Sequence, residues 1–284
     1  MARPLSRADY LFLQEFLLAR IGHDLGEGKE YLVESRLGTL ARDLGFDGLA
    51  PIFDRLRAGR EPAIAVSVCE AMVTGETSFF RNASAFERLR ESVFPRLLAA
   101  RADERRLRIW SAGCSTGQEP YSLALTLLDH FPETRRWDVR ILATDVSEPA
   151  LRQAEVGSFS AQDVRRGLDD RHLRAYFTPH EGRWLVGTEA RRMVKFEPHN
   201  LLDPRPFPGT FDLILVRNVL IYFATSARAR VFSLIRRSIR DDGFLFLGES
   251  ETILGQGDDF TFAEAGLDYY RPALDPANKS GYVS

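Results

Sequence analysis

LRIWSAGCSTGQEPYS, residues 107–122, decides the fold. The apolar run 107–110 breaks into Gly113-x-x-x-Gly117, and Pro120 then starts an amphipathic helix. A strand that turns on glycine into a helix builds a loop whose backbone N–H groups and helix N-terminus face a ligand.

The glycine spacing limits what that ligand is. A phosphate-cradling G-x-x-x-x-G-K-[ST] loop needs a lysine that this stretch lacks. A dinucleotide loop, G-x-G-x-x-G, needs a middle glycine so that the backbone can meet a pyrophosphate, and Ser115 holds that place. S-adenosylmethionine carries no phosphate. A tight turn with room for its methionine and ribose suffices, and Gly113 and Gly117 supply it. The same turn is also compatible with a purely structural strand–helix corner.

Around this loop the chain alternates. Short β-rich runs cover 107–110, 139–143, 193–196, 213–216 and 244–247, with helical patterns over 121–130, 149–154 and 227–240 between most of them. That alternation predicts a mostly parallel sheet with right-handed crossovers. A polar, interrupted stretch, about 156–192, sits inside the succession. Its clearest strand is 184–186, and it predicts a small inserted subdomain of short antiparallel strands.

Residues 1 to about 90 read differently. Tyr10, Leu13, Phe16 and Leu17 recur at helical spacing, as do apolar residues over 31–44, 52–56 and 64–72, with Gly26, Gly28, Gly45 and Gly59 as punctuation. Phe86, Leu89, Val93 and Leu97 continue the pattern into one more helix. The domains expected are thus a helical domain over 1–90, an α/β domain over 91–275, and a polar, frayed tail over 276–284.

The totals exclude several classes. A formal net charge of −2 provides no global basic field for nucleic acid or an anionic membrane. Two cysteines, Cys69 and Cys114, and five scattered histidines offer no disulfide scaffold and no zinc-ligand spacing. No apolar stretch is long enough for a membrane span or a signal peptide, so a cytoplasmic protein is expected.

Three further segments carry candidate chemistry. Asp145 ends the run ILATD, 28 residues beyond Gly117, where an acidic side chain can accept hydrogen bonds from both ribose hydroxyls. As a helix N-cap it would compete with Ser147. Glu119, in the first turn of the loop's helix, either complements the helix dipole or pairs with a ligand ammonium. In TGETSFFRN, residues 74–82, Thr77 reads as a helix cap with Phe79 and Phe80 in the core, while Arg81 could bind a carboxylate bidentately. In FDLILVRNVLIYF, residues 211–223, an apolar strand is followed by Arg217, Asn218 and Tyr222. Ligands of open α/β sheets bind at such carboxyl ends.

Together with IGHDLGEGKEYLVESRL (21–37), EPHNLL (197–202) and DDGFLFLGESETI (241–253), these stretches resemble the chemotaxis receptor methyltransferases, the CheR family. Seven motifs occur in the family's order and cover roughly residues 20–272. The resemblance implies a Rossmann-like class I methyltransferase sheet, preceded by an all-helical domain and carrying an inserted β-subdomain. It implies methyl transfer from S-adenosylmethionine to glutamates on the cytoplasmic helical bundle of chemoreceptors, with S-adenosylhomocysteine as product and no metal.

Carried over by the resemblance, cofactor contacts fall on Thr77, Arg81, Gly113, Glu119, Asp145, Asn200 and Leu201, and Arg217 and Asn218. Many relatives have Asn at the place of Gly75, whose missing side chain leaves that contact in question. Tyr222 is the candidate for lining the transfer site and orienting the substrate carboxylate, with Arg81 beside it. Lys29, Arg36 and Arg42 match the basic residues that face the receptor, although Glu30, Glu34 and Asp43 could make the same surface a merely solvated helix face. Some relatives grip a receptor's C-terminal peptide with the inserted subdomain. Here the connection between its strands is short, so a form without that tether, acting as a monomer, is expected.

Two other functions compete. A methyltransferase for nucleic acid would usually carry D/N-P-P-Y/F after the strand 213–216, where this chain has RNVLIYF. A non-catalytic cofactor binder in signalling would keep Asp145, Arg81 and Asn218 equally well.

Overall fold

The structure, a computed structural model, describes residues 5–205, 207–264 and 269–273. The tail expected over 276–284 lies outside the described residues. The chain divides into two compact units: Met1–Thr74 with Tyr222–Arg230, and Gly75–Ile221 with Val231–Ser284.

The first unit contains helices α1 (Arg7–Ile21), α2 (Glu30–Asp43), α3 (Ala50–Ala58) and α4 (Pro62–Met72). Ser6 starts α1 by accepting a hydrogen bond from the Asp9 N–H, and Gly22 ends it in the left-handed region. The apolar positions read from the sequence form the core: Tyr10, Leu13 and Leu17 of α1, Val33 and Leu37 of α2, Ile52 and Phe53 of α3, Val68 and Met72 of α4. The sets of α1, α2 and α4 recur every three or four residues, and Ile52 and Phe53 stand four and three residues before buried Leu56, which puts each set on one helix face.

Gly22 does more than end a helix. A Cβ there would lie 2.8 Å from the Ala227 Cβ and 3.0 Å from the Phe223 ring. The returning segment Tyr222–Arg230 packs against that bare backbone. Two backbone bonds clasp it: the Asp24 N–H donates to the Tyr222 carbonyl (2.8 Å), and the Ala224 N–H donates to the Gly22 carbonyl (3.0 Å). His23, buried between them in sequence, meets the Tyr222 ring edge-on at 5.8 Å.

The second unit is built on a seven-stranded sheet. Its chain order is β1 (Arg106–Ala112), β2 (Asp138–Asp145), β3 (Ser158–Phe159), β4 (Phe177–His180), β5 (Arg183–Val186), β6 (Val194–Pro198), β7 (Phe211–Val216), β8 (Ile239–Leu247), β9 (Phe260–Phe262) and β10 (Tyr269–Pro272). The large sheet runs β6-β2-β1-β7-β8-β10-β9, and β3, β5 and β4 form a separate three-stranded antiparallel sheet. The first five strands of the large sheet pair in parallel, while β10 runs antiparallel to both β8 and β9. Every residue of β7 is buried, as its unbroken apolar run requires of a strand covered on both faces. Chain direction across the sheet reverses at β1 and β7, a switch point whose carboxyl ends open a crevice.

The expected inserted subdomain is present. His180 pairs with Arg183 across a two-residue turn, Glu181 and Gly182, both with positive φ. That is the turn geometry whose twist suits a tight hairpin.

Four local readings are corrected. The helix expected over 227–240 is Thr225–Ser238; Ile239 and Arg240 already belong to β8. The helix behind the glycine loop starts at Gln118, before Pro120, and is buried on nearly all sides because it lies in the centre of the unit. Thr77 caps no helix. Phe80 (φ 47°) and Asn82 (φ 62°) turn the chain left-handed, so helix begins only at Ala83. The helix carrying Phe86, Leu89, Val93 and Leu97 runs Ala83–Arg88 and Phe94–Ala100 with one π turn, Leu89–Val93, between. The Phe94 N–H there reaches back to Leu89, next to Pro95, which has no N–H to continue the ladder.

Burial, reinforced by Lys29 and Arg36, holds the His23 pKa down at about 4. The unfolded chain then binds a proton that the folded chain refuses between about pH 6.5 and that value. Stability from this group is complete above the unfolded pKa and is lost as the pH falls. Thermal unfolding followed from pH 7 downward is expected to show a falling midpoint in this window, with the slope reduced in His23→Gln.

Candidate active site

The glycine loop is fixed from below by β2. The Thr144 carbonyl accepts from both the Gly113 N–H (2.7 Å) and the Cys114 N–H (2.9 Å). Both glycines are required by geometry. Gly113 has φ 72°, and a Cβ there would lie 2.4 Å from Val219 Cγ2; Gly117 has φ 93°, and its Cβ would lie 2.8 Å from the Ala154 Cβ. Any side chain would have to displace the loop after β7 or the helix after β2, Glu148–Val156.

Asp145 stands at the carboxyl end of β2 and is 7% exposed. Its Oδ2 accepts from the Ser115 N–H (2.8 Å), and its Oδ1 accepts from the Ser147 N–H (2.9 Å). Ser147, not Asp145, caps the next helix, through the Ala150 N–H. The bonds from Ser115 and Ser147 therefore orient Asp145, one oxygen towards the glycine loop and the other towards the next helix. Burial pushes its pKa up, and the N–H groups of Ser147, Ser115 and Val146 oppose that rise.

Glu119 and Arg217 form the second centre. Arg217 Nη1 donates to Glu119 Oε2 at 3.0 Å, with side chains 2% and 13% exposed. Glu119 Oε1 accepts from the Ser111 hydroxyl (2.8 Å), and Arg217 Nη2 donates to the Arg81 carbonyl (2.8 Å). Arg217 Nε is buried without a hydrogen-bond partner. Glu119 is thus not spent on the helix dipole alone.

The segment before Ala83 is tied into the same place. The Ser115 hydroxyl donates to the Gly75 carbonyl (2.6 Å), and a Cβ on Gly75 would sit 3.2 Å from that oxygen. The Phe80 N–H donates to the Ser122 hydroxyl (2.9 Å), and Phe79 is buried edge-on to Phe159 and Phe177. Arg81 Nη1 donates to the Glu76 carbonyl (2.8 Å). Thr77 is half-buried. At the end of β6, the His199 N–H donates to the Asp145 carbonyl (3.0 Å), and the Asn200 side chain accepts from the Leu202 N–H (3.0 Å), with Leu201 buried.

One residue went unnoticed in the sequence. Glu251 accepts hydrogen bonds from the backbone N–H groups of Asn218, Val219, Ile221 and Gly248. Its motif, GESETI, was readable; its long-range partners were not.

The structure therefore joins Gly75 to Asp145 through Ser115, and Arg81 to Glu119 through Arg217, with Gly113 and Asn200 in turns next to Asp145 or its strand. Asn218 follows Arg217 directly, with φ 59°. Tyr222 belongs to the first unit, where its contacts are His23 and Asp24. So do the basic candidates. Arg36 turns inward, donating to the Met72 carbonyl (2.7 Å) and the Thr74 hydroxyl (3.0 Å), while Arg42 is exposed and reaches only Thr39 (3.0 Å). Lys29 is half-buried, and its N–H donates to the Tyr10 hydroxyl (3.2 Å). Among the described residues, no group of three or more His, Cys, Asp or Glu could hold a metal ion. Nor is any helix long and apolar enough to cross a membrane.

Two family models match the chain. The CheR methyltransferase SAM-binding domain matches residues 75–267, and the CheR methyltransferase all-alpha domain matches residues 8–72. Chemotaxis protein methyltransferase Cher2 of Pseudomonas putida is 36% identical over 261 residues, covering 90% of this chain and 94% of that protein. Chemotaxis protein methyltransferase 1 of Pseudomonas aeruginosa is 38% identical over 253 residues, covering 87% and 91%. A chemotaxis protein methyltransferase of Vibrio parahaemolyticus is 35% identical over 264 residues, covering 91% and 94%.

Gly113→Ala forces a side chain into the left-handed region and into Val219. Overpacking of this kind costs about 1–3 kcal/mol. The variant is expected to unfold at lower denaturant and to lose S-adenosylhomocysteine affinity in calorimetric titration; a parent-like affinity would show that the loop can shift freely.

Proposed function

The chain belongs to the CheR methyltransferase family, and on that premise we propose that it methylates glutamate side chains on the cytoplasmic helical bundle of chemoreceptors. The products are a glutamate γ-methyl ester and S-adenosylhomocysteine. The observation that carries the cofactor part of this reading is Asp145, buried and aimed by backbone N–H groups beside a loop without a phosphate-binding lysine.

When bound, S-adenosylmethionine supplies a methyl group already activated on its sulfonium. The residues of the chain hold and orient the reactants. Asp145 takes the ribose, Asn200 and Leu201 flank the base, and Glu119, steadied by Arg217, offers its remaining acceptor positions to the ammonium. Arg81 and Thr77 serve the carboxylate, and Asn218 contributes from the end of β7. Gly75 contributes through its backbone, which is bonded to Ser115.

A glutamate carboxylate has an ordinary pKa of about 4.3 and is already ionised at neutral pH, so no side chain has to remove a proton. Catalysis reduces to in-line alignment and exclusion of water. The Tyr222 hydroxyl orients the substrate carboxylate, and Lys29 and Arg42 face the acidic receptor helices. Arg36, held by Met72 and Thr74, supports that surface from within. The two-residue hairpin turn of the inserted subdomain favours docking on the bundle without a peptide tether, and the form proposed is a cytoplasmic monomer.

The test is transfer of labelled methyl groups to a receptor cytoplasmic fragment, followed by mild base. Volatile labelled methanol is the expected product. Base-stable label would point to another acceptor, and cofactor binding without transfer to any receptor fragment would point to a signalling module.

Asp145→Ala removes two charge-assisted bonds and is expected to weaken S-adenosylhomocysteine about 10- to 100-fold. The pH dependence has a definite sign. The ribose bonds need the ionised carboxylate, and burial raises the Asp145 pKa. Affinity measured by calorimetry is therefore expected to fall on acidification sooner than an ordinary aspartate would dictate, and this component should vanish in Asp145→Ala.

A further inference from the structure

Glu251 lies in the turn after β8, outside the residues given a role in cofactor binding, and its carboxylate is saturated by main chain. Oε2 accepts from the N–H of Asn218 (2.8 Å) and of Gly248 (2.6 Å). Oε1 accepts from the N–H of Val219 (2.9 Å) and of Ile221 (3.2 Å). Two bonds on each oxygen use all of its acceptor positions. Glu251 therefore has no acceptor position left to hold a ligand. It acts on the backbone alone.

What it holds is the turn that carries Asn218. Asn218 has φ 59°, a conformation that costs an L-residue about 1–2 kcal/mol and that asparagine tolerates better than most. Without an acceptor, three N–H groups of residues 218–221 would have no reason to converge. Gly248 completes the seat. A Cβ there would lie 2.6 Å from Glu251 Oε2, 2.8 Å from Asn218 N and 3.0 Å from Asn218 Nδ2. The side-chain amide of Asn218 thus rests against bare backbone at the end of β8, and no other residue at position 248 leaves room for it.

We infer that Glu251 and Gly248 are positioning residues for the cofactor site: a carboxylate clamp and a glycine seat that set the side chain of Asn218. This inference rests on the reading of Asn218 as a cofactor contact. The clamp acts through Asn218, so its loss should matter only where Asn218 matters.

The experiment measures S-adenosylhomocysteine affinity by calorimetry and unfolding by circular dichroism for Asn218→Ala, Glu251→Gln, Gly248→Ala and the double variant N218A/E251Q. Glu251→Gln keeps the volume but turns an NH2 group towards two N–H donors; Gly248→Ala pushes on Asn218 directly. Each single variant, still folded, is expected to bind about tenfold more weakly, the equivalent of one well-placed hydrogen bond. The double variant is expected to be no weaker than Asn218→Ala alone, and a loss in Glu251→Gln that disappears in the Asn218→Ala background is what a merely stabilising role for Glu251 would not produce. If Asn218→Ala binds like the parent, the cofactor reading of Asn218 fails and the clamp has no function through it. If Asn218→Ala binds weakly while folded Gly248→Ala and Glu251→Gln bind like the parent, the positioning role alone is overturned. Should Glu251→Gln not fold, Gly248→Ala decides between these outcomes.

Discussion

The candidate site of the second unit is organised around a buried cation. Arg217, with 2% of its side chain exposed, would be costly to bury unpaired. Removing the partner of such a charge costs about 3–5 kcal/mol. Its partners come from separate parts of the chain: Glu119 from the helix behind the glycine loop, and the Arg81 carbonyl from the segment that enters the unit. Glu119 is in turn fixed by Ser111 at the end of β1. One guanidinium thus locks β1, β7 and the entry segment into a single arrangement, and the Phe86 ring lies 5.8 Å from its face. The loop and Asp145 then need only local bonds to finish the cradle.

Most of the framework was legible because it repeats. Apolar runs over 107–110, 139–143 and 213–216 lie within observed strands. Strands covered on both faces leave no other pattern. The glycine loop was legible because φ 72° and φ 93° need glycine. What the sequence hid depends on partners far along the chain. Arg36 looks like a surface cation on a helix, and only the carbonyl of Met72 shows that it faces inward. Ile239 and Arg240 extend a helical pattern, yet Ile239 pairs with Phe211 in the sheet. The antiparallel pair β9 and β10 lies in a short, polar-interrupted stretch without a period of its own.

The segments that meet at the candidate site share a backbone property that no periodicity reports. Six non-glycine residues among those described have positive φ, and four of them, Phe80, Asn82, Ser115 and Asn218, lie on the segments that meet at the site. Three of those four have their own N–H caught by a side-chain oxygen: Phe80 by Ser122, Ser115 by Asp145 and Asn218 by Glu251. A left-handed residue turns its N–H out of line with the neighbouring ladder, and a buried N–H left unmade costs more than the conformation itself. Side-chain acceptors at those points therefore convert three unfavourable turns into fixed ones. Three of the four strained residues are thus held in place by side-chain acceptors. A ligand that fits the cradle meets groups already in place, which is the condition for alignment rather than acid–base chemistry to carry a methyl transfer.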